Sequence, residues 1–187
     1  MKNVMLDLET MSTASNAAIV AIGAVKFDPD TGELGQMFYR NVSLESCIAA
    51  GLDVEAGTVM WWLLRSEEAR RVLLEDALPL REALKQFNDF LYSIDRDAAR
   101  LGERVDIAVW GKGSDFDNVI LANAYKALRY PLPWKYRNNR CVRTILALVP
   151  SAYDGVESEE TKHNALDDAI YQARCVSKAW QELTGCS

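Results

Sequence analysis

The chain has 187 residues, of which 49% are hydrophobic and 26% are charged, and it carries a formal net charge of −6. This composition is typical of a globular domain, and the lack of a run of roughly eighteen apolar residues excludes a membrane-spanning helix. The negative charge argues against broad, non-specific attraction to nucleic acid, which depends on a basic surface.

The first part of the chain predicts three β-strands. Residues 2–8 are apolar, residues 17–27 are rich in β-branched side chains, and residues 36–42 follow a turn. The turn, residues 28–35, contains proline and glycine, which predicts a hairpin between the second and third strands.

Helices are predicted through the middle of the chain. Residues 58–65 and 66–76 predict two short helices. Residues 80–96 predict a longer helix, because apolar side chains recur there at helical spacing.

The rest of the chain predicts a strand over residues 105–110, a helix over residues 114–129 that ends before a proline, and a final helix from about His163 to about Glu182. This order predicts an α/β fold with a mixed sheet, in which parallel strands extend an antiparallel meander and helices flank both. No repeat or linker is visible, so we expect a single domain over residues 1–187.

The cysteines and the N-terminal residues are used to predict the cellular compartment of the protein. The four cysteines are scattered and form no C-x-x-C pair, so we expect reduced thiols rather than a zinc site. Acidic residues stand where a secretory signal has its apolar centre. We therefore expect a cytoplasmic protein with no membrane partner.

Two acidic side chains interrupt the first predicted strand. Asp7 and Glu9 are two residues apart, so they project from the same face, whereas Leu6 and Leu8 project from the other. Two buried carboxylates repel each other unless a divalent cation compensates their charge. The alternative is an edge strand with one face in water.

A second group of acids lies where a strand is followed by a helix. Asp115 and Asp117 follow the sequence GKGS at 111–114, which lacks the spacing of a phosphate-binding P-loop. Catalytic groups often gather at such strand–helix junctions in α/β folds. The alternative is that Ser114 and Asp117 form a capping box.

A third group lies at the start of the last helix. The only histidine, His163, precedes Asp167 and Asp168. Both acids also suit the first turn of a helix, where negative charge complements the helix dipole. Each of the three groups therefore has a structural explanation as well as a functional one.

Together the three groups resemble the three motifs of the DnaQ-like, or DEDD, 3′–5′ exonuclease superfamily. The histidine in the third motif is similar to that of the DEDDh branch, and the resemblance implies a ribonuclease H-like fold. It also selects Asp117 over Asp115 and Asp168 over Asp167. The matching residues are Asp7, Glu9 and Thr10, then Phe116 and Asp117, then His163 and Asp168.

A further segment resembles a smaller group of proteins within this superfamily. Residues 58–70 are similar to those of small bacterial and bacteriophage exonucleases of the exodeoxyribonuclease VIII-like and exoribonuclease kinds. The second motif departs from the proofreading pattern, because Gly111, Lys112 and Gly113 stand where His-Asn usually precedes Phe-Asp. A strict proofreading or ribonuclease T assignment is therefore not supported.

The resemblance implies a metal-dependent mechanism. Two Mg²⁺ or Mn²⁺ ions roughly 4 Å apart would cleave the phosphodiester bond, and His163 would be the general base. The products would be nucleoside 5′-monophosphates from single-stranded RNA or DNA with a free 3′ end, and relatives are often homodimers. The implied metal ligands are Asp7, Glu9, Asp117 and Asp168.

Substrate contacts are predicted less directly. Thr10 and Met11 resemble family positions that contact the terminal nucleotide. Trp61 and Trp62 point about 100° apart on a helix, so we expect one in the core and one exposed, where it would stack on a base. The basic and aromatic residues of 126–143 either follow the phosphates or form a solvated loop.

Other functions fit the fold. A catalytically inactive nucleic-acid-binding module would be expected to have lost a metal ligand, and here all four acids are present. A protein-interaction domain with surface carboxylates is a third hypothesis. The choice between RNA and DNA depends on the 2′-hydroxyl, for which the sequence identifies no partner.

Overall fold

The structure is a computed structural model that describes residues 2–73, 75–156 and 164–185, with Val72 described by its backbone alone. Its strands form one five-stranded sheet in the order β3-β2-β1-β4-β5. The strands are β1 (Lys2–Thr10), β2 (Ile19–Phe27), β3 (Leu34–Asn41), β4 (Ile107–Gly111) and β5 (Asn139–Cys141).

The sheet is mixed, as predicted. β1 pairs antiparallel with β2, which pairs antiparallel with β3. β4 joins the other side of β1 in parallel, and β5 extends β4 in parallel. β1 is therefore the central strand, although its pairing with β4 covers only residues 2–5. The alternative of an edge strand with one face in water is wrong, because Glu9 is buried.

The described residues form eight α-helices, and short 3₁₀ turns occupy Arg71–Leu73, Tyr136–Asn138 and Pro150–Tyr153. None of these helices is long and apolar enough to cross a membrane. The α-helices are α1 (Leu44–Ala49), α2 (Ala56–Leu63), α3 (Glu67–Arg70), α4 (Leu80–Ile94), α5 (Arg96–Leu101), α6 (Asp117–Ala127), α7 (Val142–Leu148) and α8 (Ala165–Thr184).

Side chains alternate along β1 between two apolar layers. Leu6 and Leu8 lie in the layer that contains the buried faces of α4 and α6. Met5 lies in the opposite layer, with α7 and α8. Because the side chains of a strand alternate, Asp7 and Glu9 point toward the side of α8.

Several predicted elements differ in length from those in the structure. The predicted helix over residues 80–96 ends at Ile94, because Asp95 leaves the helical conformation. Its carboxylate accepts hydrogen bonds from the Lys2 ammonium at 2.9 Å and the Asp106 amide at 2.8 Å. The predicted helix over residues 66–76 is one turn of α3 followed by a 3₁₀ turn.

The same hydrogen bonds affect the acidity of Asp95. Burial acts to raise its pKa, but the Asp106 amide and the Lys2 ammonium outweigh burial and hold the pKa below its ordinary value. The charged carboxylate therefore ties the end of α4 to the start of β1 and to the segment that leads into β4.

Candidate active site

The first two acids lie on β1 as predicted. β1 continues to Thr10, so Asp7 and Glu9 are both held by the sheet. Glu9 is 8% exposed, whereas Leu6 is fully buried in the opposite layer. Asp7 pairs across the sheet with Gly23 of β2.

Gly23 allows α8 to reach these acids. A Cβ atom added at Gly23 would lie 2.1 Å from the carbonyl carbon of Ala165, the first residue of α8. Asn164 caps this helix, and its side-chain oxygen accepts a hydrogen bond from the Leu166 amide at 2.9 Å. The first turn of α8 therefore lies directly against the sheet.

This close approach brings a third acid to the site. Carboxylate oxygens of Asp7, Glu9 and Asp168 all lie within 4.8 Å of one another. The structure thus brings together residues from both ends of the chain, as the resemblance implied. His163 lies outside the described residues.

Asp117 completes the set of acids at the start of α6. It is 3% exposed. The N-cap of α6 is Phe116 and not Ser114, so the alternative explanation of Ser114 and Asp117 as a capping box is wrong. A Cβ atom at Gly111 would lie 2.5 Å from Oδ1 of Asn118 and 3.1 Å from Cβ of Asp117, so glycine leaves room for the first turn of α6.

The four acids create a site that disfavours negative charge. Burial raises the pKa of Glu9 to about 8, and the charges of Asp168 and Asp117 contribute. Burial also raises the pKa of Asp7 well above its ordinary value, helped first by the charge of Asp117. Burial raises the pKa of Asp117 to about 7, although backbone hydrogen bonds and Arg143 oppose the rise.

These residues fit a divalent cation. Their donors are carboxylate oxygens, which suit Mg²⁺ or Mn²⁺, and a cation would offset the repulsion between them. Gln172 donates a hydrogen bond from Nε2 to Oδ1 of Asp7 at 2.7 Å. Among the residues that the structure describes, none donates a hydrogen bond to the buried Oε1 of Gln172.

A cavity of about 490 Å³ adjoins the acids, and Glu9 forms part of its wall. Trp61 is 38% exposed and Trp62 is 2% exposed, which confirms that one tryptophan is in the core and the other exposed. The indole nitrogen of Trp62 donates a hydrogen bond to the carbonyl of Thr10 at 2.9 Å. Met11 lies in the core. The lining residues are Leu8, Glu9, Thr10, Ser12, Thr13, Glu55, Gly57, Thr58, Trp61, Trp62 and Phe116.

The sequence prediction missed three residues of this region. Glu55 lies in the cavity wall and accepts a hydrogen bond from the Thr13 hydroxyl at 3.1 Å. Gln172 follows Asp168 by four residues, which places both on one helical face, and this spacing was the available signal. Nothing in the local sequence marked Gly23.

We expect replacement of Gln172 with leucine to weaken Mn²⁺ binding at least about tenfold, since residues that orient metal ligands typically contribute that much. Leucine has a similar volume to glutamine but cannot donate a hydrogen bond to Asp7. Isothermal titration calorimetry measures the affinity. Gln181→Leu, on the same helix about 14 Å away along its axis, is the matched control. Equal affinities in the two variants would contradict the role of Gln172.

Comparisons with known proteins give the family of the chain and relatives of similar sequence. The model of a family described as the 3′–5′ exoribonuclease Rv2179c-like domain matches residues 2–180. An exodeoxyribonuclease of Enterobacteria phage T4 is 25% identical over 162 residues, which cover 75% of this chain and 68% of the phage protein.

Solved structures share the fold at low identity. The nuclease domain of 3′hExo, a DEDDh family member bound to rAMP, is 14% identical with a TM-score of 0.64, over 99% of this chain and 93% of that domain. E. coli exonuclease I in complex with a dT13 oligonucleotide is 14% identical with a TM-score of 0.61, over 96% of this chain and 41% of the enzyme.

Proposed function

This chain belongs to the family of 3′–5′ exoribonuclease Rv2179c-like domains, and from that membership we propose that it degrades single-stranded RNA from a free 3′ end to nucleoside 5′-monophosphates. By family and fold it is a 3′–5′ exonuclease of the DEDDh type. The observation that supports nuclease chemistry is the cluster of Asp7, Glu9 and Asp168 beside a cavity large enough for a nucleoside, and the preference for RNA rests on the family alone.

We assign the four acids to two divalent cations, Mg²⁺ or Mn²⁺. Asp7, Glu9 and Asp168 would hold one, since their oxygens lie within 4.8 Å of one another. Asp117, whose charge raises the pKa of Asp7, would share the second with Asp7. Bound cations of this kind lower the pKa of water and neutralise the charge that develops on the phosphate.

The protein's own groups would position and activate the reactants. Gln172 orients the Asp7 carboxylate through its 2.7 Å hydrogen bond. The cavity would take the terminal nucleoside, with Thr10 and Trp61 in its wall. His163 would accept the proton of the attacking water, because the ordinary imidazole pKa of about 6.5 suits a general base near neutral pH.

Replacement of His163 with alanine is expected to lower turnover about 100-fold and to leave Mn²⁺ affinity within twofold of wild type. General bases typically contribute a factor of about 100 or more. Single-turnover kinetics and calorimetry give the two quantities. A wild-type rate in this variant would remove the histidine from the mechanism.

Trp61 and Trp62 are expected to differ in what they contribute. Replacement of exposed Trp61 with alanine should raise KM about tenfold, because stacking of a base on an aromatic ring contributes roughly 1–3 kcal/mol. Replacement of buried Trp62 with alanine should instead destabilise the fold by roughly 3 kcal/mol or more. Steady-state kinetics and thermal unfolding separate these effects, and Trp61→Phe should restore most of the affinity.

The proposed function is tested with 5′-labelled single strands of RNA and DNA of one sequence, in Mg²⁺ and in Mn²⁺. We expect a ladder shortening from the 3′ end and faster degradation of RNA. The phage relative is named an exodeoxyribonuclease. Faster degradation of DNA would therefore contradict the proposed preference for RNA and favour a DNA substrate. No shortening of either strand in either metal would contradict the function.

Two further expectations remain to be tested. We propose that residues 1–187 form one nuclease domain, supported by a family match that covers residues 2–180. The homodimer implied by the family resemblance stays a prediction, and light scattering of the purified protein tests it.

A further inference from the structure

The loop between β4 and α6 supplies no carboxylate to the proposed cation site, yet its backbone is unusual. Gly113 has a φ of +126°, which favours glycine. A Cβ atom at Gly113 would lie 3.2 Å from Nη1 of Arg143 and 3.1 Å from Oδ1 of Asp115. Gly111, two residues earlier, lies close to the side chains of Asp117 and Asn118. The side chains of Arg143 and Asp117 thus lie near the two glycines that flank Lys112.

The loop carries Lys112, whose backbone N–H donates a hydrogen bond to Asp117, and the neighbouring helix α7 carries Arg143. Lys112 and Arg143 are both exposed. Among the described residues, neither forms an ion pair with a carboxylate within 4.0 Å, although Asp115 lies against the same glycine as Arg143. Arg143 is nevertheless close enough to Asp117 to oppose the rise of its pKa.

These cations lie outside the cavity. Neither Lys112 nor Arg143 is among its lining residues, which come from the end of β1 and the residues after it, from α2 and its N-cap, and from Phe116. Arg143 belongs to α7, which packs with α8 on the opposite side of the sheet. If the terminal nucleoside fills the cavity and its phosphate lies at the acids, the preceding nucleotide must lie outside the cavity. The positive charges of Lys112 and Arg143 would attract the phosphate of that nucleotide.

We propose that Lys112 and Arg143 bind the substrate phosphate one nucleotide to the 5′ side of the phosphodiester that is cut. The proposal rests on the proposed exonuclease function. Arg143 offers a planar set of N–H donors that matches phosphate oxygens, and Lys112 offers a compact positive charge. Glycine at position 113 keeps the approach to Arg143 open, because a side chain there would meet the guanidinium.

Two dinucleotides test this assignment. ApA contains only the phosphodiester that is cut, whereas pApA adds a phosphate at the proposed position. We expect wild-type kcat/KM to be about tenfold higher for pApA than for ApA, as for a charge-assisted contact. In Arg143→Ala this ratio should fall to about threefold, and removal of both cations in Lys112→Ala/Arg143→Ala should bring it to about one.

The control is Lys85→Ala, which removes an exposed positive charge from α4 and should keep the wild-type ratio. If Arg143→Ala slows both dinucleotides by the same factor, the residue acts only on Asp117 or on the fold, and the proposal is overturned. If wild type cuts both dinucleotides equally well, this proposal alone fails. If wild type releases no mononucleotide from any strand, the proposed function fails as well.

Discussion

Replacement of Asp168 with asparagine is expected to raise the melting temperature of the metal-free protein at pH 8 by about 3 °C while lowering turnover at least about 1000-fold. The loss of turnover follows from the loss of a carboxylate that would hold a cation, since a 1000-fold change corresponds to about 4 kcal/mol of transition-state stabilisation. The gain in stability follows from the repulsion among the acids, and about 3 °C corresponds to roughly 1 kcal/mol for a chain of this size.

The sign of the stability effect follows from proton binding. The pKa of Glu9 is raised from 4.5 to about 8 by burial and by the charges of Asp168 and Asp117. Between these two values the folded protein binds more protons than the unfolded chain, so the free energy of unfolding falls as the pH rises from about 4.5 to about 8. Removing the negative charge of Asp168 lessens this fall, and added Mn²⁺ should lessen it in the wild type.

Differential scanning fluorimetry from pH 5 to pH 8, with EDTA or with Mn²⁺, measures both effects. Asp167→Asn is the matched control, because Asp167 also lies in the first turn of α8 but outside the cluster of three carboxylates. We expect this control to keep its turnover. A metal-free melting temperature that falls in Asp168→Asn, or rises with pH in the wild type, would contradict the account of the site.

Replacement of Gly23 with alanine is expected to lower turnover about 100-fold, although Gly23 is not a metal ligand. The added methyl group would overlap the backbone of Ala165, which must move away from the sheet by more than an ångström. Asp168 would move with the helix, and small displacements of catalytic groups can cost 100-fold in rate. Overpacking of this kind typically costs roughly 1–3 kcal/mol of stability, so we expect a folded protein.

Two measurements separate misplacement of Asp168 from simple loss of stability. Mn²⁺ affinity should fall in Gly23→Ala even at temperatures where circular dichroism shows a folded protein. The control is Gly35→Ala in β3, where the added Cβ meets only the flexible side chain of Lys26 at 3.1 Å or more. Wild-type metal affinity in Gly23→Ala would show that the helix can shift without moving the site.

The large elements of the fold could be predicted because their patterns are local. Apolar and β-branched runs, turn formers and helix-ending signals identified β1 to β4, α6 and α8, and helical spacing identified α4, although their ends differ by a few residues. β5 has only three residues, Asn139–Cys141, and none is an apolar strand former. The helices α1, α5 and α7 were not predicted either, because each has too few turns to show a repeating pattern of apolar residues.

The acids of the site could be predicted because the three motifs carry recognisable residues in a fixed order. The residues that support them could not, because their roles depend on distant parts of the chain. Gly23 matters only because α8 lies on it. The orientation of the tryptophans followed from helix geometry, whereas the hydrogen bond from Trp62 to Thr10 required the fold.

The hydrogen bond between Gln172 and Asp7 joins positions 165 residues apart. β1 supplies Asp7 and α8 supplies Asp168, and most of the described fold lies between them in the sequence. Local folding of either segment alone therefore cannot assemble the cluster of acids. Any partly folded state in which α8 has left the sheet should lack the complete set of carboxylates.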